Sequence, residues 1–225
     1  MFSASVRTLW EELRIAVIPA GFLVSSMLVV SLLHLDELAL RGGGVIAFVL
    51  SWGWLLAMLG LTLFVGLVLV TQFREPGFPL TSHAPMPKVV IPLIALEGSA
   101  FFGLGLGLLI RPDFWGGLVP WEVSTIDARA LGAWCLTLGA ALLQALVDAD
   151  LDRLKPGLIA LTGIGALCLI GVAWHRAEIE WATWTAPIAV GLLVALLATG
   201  VIGSFLLRRA EAAAAAPAAL EVPTA

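Results

Sequence analysis

Six stretches of the chain are almost unbroken in apolar residues: Ile15–Leu35, Val45–Thr71, Val89–Ile110, Ala130–Val147, Pro156–Trp174 and Ala186–Leu207. A bilayer core about 30 Å thick is crossed by about 20 helical residues at 1.5 Å each. Each run is therefore read as a transmembrane helix. The second is long enough to need tilt. The fourth and fifth are short and carry Gly or Thr inside, so length alone fixes their crossing least firmly. The pattern predicts an all-α fold, a polytopic transmembrane helix bundle of about six spans.

Helix breakers and charges separate the runs. Arg41–Gly44 lies between the first two. Glu75–Pro87 holds Pro76, Gly77, Pro79, Pro85 and Pro87, which cannot continue a helix. Arg111–Arg129 includes Pro112, Gly116, Gly117 and Pro120, and Ser124 or Thr125 is placed to cap the fourth helix with Asp127 in its first turn. Thr8-Leu9-Trp10-Glu11 has capping-box spacing, which predicts a short interfacial helix ahead of the first span. Arg7 and Arg14 precede that span as in a signal peptide. The run continues to Leu35 without a small-residue cleavage site, so it is read as retained. Residues 1–209 form the predicted bundle. Ala210–Ala225, rich in Ala with Pro217 and Pro223, is predicted to prolong the last helix by a turn or two and then lose order as a cytoplasmic tail.

Composition agrees with lipid as the solvent. Of 225 residues, 60% are hydrophobic and 12% charged, against about 25% charged in soluble domains. Net charge is −4 and the longest basic run is Arg208–Arg209, so nucleic acid is not an expected partner. Cys135 and Cys168 lie in apolar runs with no CxxC or Cys/His cluster, which excludes a disulfide scaffold and a zinc module.

With the N-terminus inside, inner segments hold Arg7, Arg14, Arg74, Lys88, Arg153, Lys155, Arg208 and Arg209, and outer segments Arg41, Arg111, Arg129 and Arg176. Eight against four predicts cytoplasmic termini and a multi-pass protein of the cell (inner or plasma) membrane. Trp115, Trp121, Trp174, Trp181 and Trp184 fall near predicted outer ends, where indole rings favour the headgroup level.

Helices in lipid associate by close backbone approach at small residues. In the sixth span Gly191, Ala195, Thr199 and Gly203 are four apart and share a face; Gly103 and Gly107 repeat that spacing in the third. These predict packing stripes, against an internal helix or a second copy of the chain.

Glu97 is the one ionisable residue deep in a span, nine residues past Lys88 and thus about 13 Å in at helical rise. A charge there costs at least a few kcal/mol. It must face the interior, find hydrogen bonds or carry a proton. Gly98 and Ser99 leave room beside it, and Gln144 is the best-placed polar partner in the fourth span, with Thr137 and Thr162 as others. Asp148, Asp150 and Asp152 alternate in an inner loop and could approach Mg²⁺ or Ca²⁺. The EF-hand pattern is not completed, however, and Arg153 and Lys155 supply counter-charge, so a solvated loop is the expectation and no metal site is assigned. His175, Arg176, Glu178 and Glu180 read as a solvated interface loop. His34 and His83 are isolated. No GxSxG, P-loop, HExxH or dinucleotide fingerprint occurs; no enzyme activity and no cofactor are expected.

From Pro120 the chain reads Pro-Trp-Glu-Val-Ser-Thr-Ile-Asp-Ala-Arg-Ala-Leu-Gly-Ala-Trp, then a span, then Asp150-Leu-Asp-Arg-Leu-Lys-Pro. This resembles a group of uncharacterised, actinobacterial-type multi-spanning membrane proteins with a W-P-W-x-L-T-P-L-T-A-R-A-x-x-A-W-like segment followed by an acidic turn with Arg and Pro. Trp121, Arg129 and Trp134 match the pattern. Val119 replaces its first Trp, and Ser124 and Ile126 replace Thr and Leu. The likeness covers roughly residues 95–175. It implies a bacterial helical membrane protein and brings no activity. Arg129, at the outer end of its span, is expected to reach headgroup phosphates, Glu122 or Asp127.

Two functions follow as expectations. One is a structural or accessory helical membrane subunit, whose partners are the lipid bilayer and a membrane protein or a second copy. The alternative is a small proton- or cation-linked transporter using Glu97, supported by Ser99 and Gln144.

Overall fold

The computed structural model describes residues 2–73 and 84–215, with side chains for 16–71 and 84–213. The helices are α1 (Phe2–Leu33), α2 (Val45–Phe73), α3 (Ile91–Ile110), α4 (Pro112–Gly116), α5 (Thr125–Asp148), α6 (Leu151–Trp174) and α7 (Thr185–Ala215), with a 3-10 turn at Leu35–Glu37. The fold is all-α, and no strand occurs among the described residues. Every helix except α4 is long and apolar enough to cross a membrane. The chain is thus a multi-pass helical membrane protein by the length and composition of its helices. Residues 74–83, with Pro76, Gly77, Pro79 and His83, and residues 216–225 of the predicted tail lie outside the described residues.

Helix ends differ from the sequence reading where capping decides them. α1 runs unbroken from Phe2 through Pro19 into the span, so Thr8–Glu11 does not start a helix of its own. Good helix formers, Leu9, Glu11, Glu12, Leu13 and Arg14, fill that stretch and nothing before Pro19 breaks it. α5 begins at Thr125, directly after the expected cap and five residues before the apolar run itself: Ser124 Oγ accepts from Asp127 N at 3.2 Å and donates to Asp127 Oδ2 at 2.6 Å. α6 begins at Leu151, with Asp150 as its cap, and takes Pro156 inside. Pro112 opens α4 in what the sequence reads as an irregular loop. α7, by contrast, extends through Ala215, within the turn or two past residue 209 that the sequence reading expects.

Two compact units divide the chain, residues 1–79 with 98–141 and residues 80–97 with 142–225, the boundaries falling inside α3 and α5. In the first unit, α1 and α2 form a hairpin turned at Gly42, Gly43 and Gly44, whose φ angles of 118°, 80° and 88° suit residues without a Cβ. Trp54 Nε1 donates to Ser31 Oγ at 2.8 Å and Ala39 N to Ser51 Oγ at 3.1 Å. The later part of α3 meets α5 backbone to backbone. A Cβ on Gly139 would collide with the Phe102 backbone, and one on Gly105 with the backbone of Leu136 and Gly132. Such contact is how membrane helices gain dispersion energy without a hydrophobic driving force. Phe22 and Phe102 meet edge to face at 5.7 Å.

In the second unit, α6 and α7 pack antiparallel. Here Gly165 lies against the Leu197 backbone, Gly200 against Thr162, and Gly203 against the Leu158 side chain. The α5–α6 junction is tied by an antiparallel bridge: Met86 N donates to Ala149 O at 2.9 Å and Leu151 N to Ala84 O at 2.8 Å. That tie holds Ala149 at φ 47°, a left-handed conformation costly for a residue with a Cβ.

Candidate functional site

Glu97 lies at the end of the second turn of α3 and is only 6% exposed. Its partner is on α7. Thr199 Oγ1 donates to Glu97 Oε2 at 2.6 Å, a length typical of hydroxyl donation to a charged or strongly polar acceptor. Oε1 is buried, and among the described residues nothing hydrogen-bonds to it. In hydrocarbon an unmet oxygen is costly. A proton on Oε1, or a small cation beside it, would offset that cost.

The residues expected around Glu97 are placed differently. Ser99 is exposed, because two residues on is some 200° around a helix. Gln144 donates instead to Asp148 Oδ2 at 3.1 Å, one turn along α5. Thr137 and Thr162 return their hydroxyls to their own helices, on Ala133 O at 2.7 Å and Leu158 O at 2.8 Å. Thr199, read from the sequence only as part of a packing stripe, supplies the bond.

That stripe is only partly used for packing. Gly203 meets Leu158, while Gly191 is exposed and a Cβ on it would meet nothing within 4 Å. Ala195 is half-buried. The close approach runs through Gly203 of the predicted line and through Gly200, which lies beside that line. On α3, Gly103 is open, Gly105 makes the helix contact, and Gly107 carries the Trp115 ring. Trp115 is thus drawn onto α3, whereas Trp174, Trp181 and Trp184 are exposed.

The alternating aspartates are not gathered. Asp150 is 1% exposed, and its Oδ1 accepts from Asp152 N at 3.0 Å and Ala84 N at 3.3 Å. It caps α6 and fixes the incoming segment. Asp148 is engaged by Gln144. No group of three His, Cys, Asp or Glu among the described residues is arranged to hold a metal ion.

A second polar contact was invisible in the sequence. Arg129 Nη1 lies 2.8 Å from His34 Nε2. Arginine only donates, so in this contact the His34 ring accepts through Nε2. Arg129 is therefore turned to the end of α1 rather than to Glu122 or Asp127. The two residues are 95 apart in the chain, and no local pattern links them. Trp134 is half-exposed, and Trp121 is partly covered.

Comparison with protein-family models, with curated proteins and with solved structures finds no match to this chain. The described geometry offers a buried carboxyl with a hydroxyl partner, set among helices joined at glycines. Around the α6–α7 turn, His175 and Glu178 pair at 3.0 Å on the exposed surface.

Proposed function

We propose that this chain is a structural or accessory subunit of a membrane assembly, and that a partner helix packs on α2. One observation carries the reading: over Val45–Thr71, none of the 27 residues is buried. In lipid, helices join where small residues let backbones approach. Gly53, Ala57 and Gly60 lie at i, i+4 and i+7, hence on one face of α2. All three are exposed, and a side chain at Gly53 or Gly60 would meet nothing within 4 Å. The distribution of Lys and Arg supports cytoplasmic termini in a plasma or inner membrane, and the likeness around Trp121, Arg129 and Trp134 supports a bacterial one. A photo-crosslinking residue at Gly60, in native membranes, is expected to capture a discrete polypeptide. The same residue at Val65, which faces Gly21, is expected to give only internal links. Lipid adducts alone at Gly60 would remove the reading.

A second reading has its own observation, the buried and unmet Oε1 of Glu97. A carboxyl held by Thr199 with one oxygen open can exchange a proton or hold a small cation, as a coupled transporter requires. Proteoliposomes should then show proton or cation flux that Glu97→Gln abolishes. Equal flux with and without the substitution, or none in the native chain, rejects this reading.

A further inference from the structure

Between α6 and α7 lies a groove of about 550 Å³, within the range of small-ligand sites. Ile159 and Gly163 line it from α6, and Val201, Ser204, Phe205 and Arg208 from α7. Ile159, Val201 and Phe205 expose their apolar side chains. Gly163 opens the groove further, since a Cβ there would meet nothing within 4 Å. The polar atoms do not face a ligand: Ser204 Oγ donates to Gly200 O at 2.8 Å within α7, and the hydroxyl of Thr162, which also lines the groove from α6, is likewise turned to its own helix. What the groove presents is hydrocarbon along its length and one cation at its end.

That cation is available. Among the described residues Arg208 makes no ion pair, while Lys155 is already held by Glu211 at 2.9 Å. Arg209 adds a second positive charge, its guanidinium 4.4 Å above the Phe205 ring. Val201 and Arg208 are seven residues apart on α7, so the apolar lining extends about 10 Å below the guanidinium at 1.5 Å per residue. An apolar channel running along a span and ending in unpaired arginine at its charged end matches one occupant in shape and charge. It is an anionic phospholipid, with an acyl chain in the groove and its phosphate on the fork of donors that arginine offers.

We propose that this groove is a binding site for an anionic phospholipid. The test is native mass spectrometry of the full chain released from nanodiscs that hold equal phosphatidylglycerol and phosphatidylcholine. The native chain is expected to retain phosphatidylglycerol preferentially. Arg208→Gln should lower that preference about fivefold, the factor expected for one basic residue at about 1 kcal/mol. Gly163→Leu should lower retention of both lipids by filling the groove. Both positions are exposed, so neither substitution should affect folding, and an unchanged melting temperature checks this. Equal retention of the two lipids by the native chain overturns the proposal. So does an Arg208→Gln variant that keeps the preference, a Gly163→Leu variant that keeps its lipid, or a second polypeptide crosslinked at Gly163 in place of lipid.

Discussion

Replacing Thr199 with Val removes one hydroxyl and leaves the shape of the α7 surface unchanged. Glu97, 6% exposed and with Oε1 already unmet, then has no partner on either oxygen among the described residues. Stranding a buried acceptor costs about 1–3 kcal/mol in soluble proteins. Hydrogen bonds between membrane helices average about 0.6 and reach about 1.7 kcal/mol. The 2.6 Å separation and the near-complete burial put this bond at the upper end, so a loss of about 1–2 kcal/mol is expected. For a chain of this length that is a fall in melting temperature of roughly 2–8 °C. Reversible unfolding in mixed micelles gives the free energy directly. Glu97→Met alone should cost less than about 1 kcal/mol, and adding Thr199→Val to it should cost little more, because replacing both partners by apolar groups of similar shape is nearly neutral. The cycle should thus return a coupling of about 1 kcal/mol. A Thr199→Val variant as stable as the native chain, or a coupling below about 0.3 kcal/mol, would refute the assignment of this contact as a bond between α3 and α7.

Two further predictions concern packing and turns. Gly139→Ala drives a methyl into the Phe102 backbone, and Gly103→Ala points one into open space; the first should cost about 1–3 kcal/mol or more by overpacking, the second should leave the melting temperature unchanged within error, and equal behaviour of the pair would contradict the α3–α5 contact. Ala149→Gly should raise the melting temperature, by about 0.5–1 kcal/mol in free energy, because the residue after α5 sits at φ 47°; a loss of stability would show that the bridge to Met86 does not hold that conformation.

The six spans were legible because a hydrophobic run is a one-dimensional signal. Its length against the bilayer is enough, and Val45–Thr71 needed nothing else. Local chemistry also read correctly where a side chain bonds its own backbone, as Ser124 does with Asp127. What the sequence left open is how each helix is turned about its axis. A soluble helix shows its inward face by a polar face opposite, but α7 is apolar all round. The line through Gly191, Ala195, Thr199 and Gly203 was one of several small-residue lines it could present. The neighbour took up Gly203 from that line together with Gly200 beside it, and Gly165 of α6 answers at Leu197. The same freedom explains why Gln144 was expected beside Glu97 and Thr199 is found there. Arg129 and His34 meet only because the turn after α1 brings a loop histidine to the start of α5. No spacing within either segment encodes that meeting.

Purification of the tagged chain in nanodiscs at native expression, with mass spectrometry of the associated polypeptides, tests the accessory-subunit reading most directly. A membrane polypeptide in fixed stoichiometry, lost when Gly60 is changed to Leu, is the expected result. A chain that purifies alone from native membranes, unaffected by that change, would contradict it.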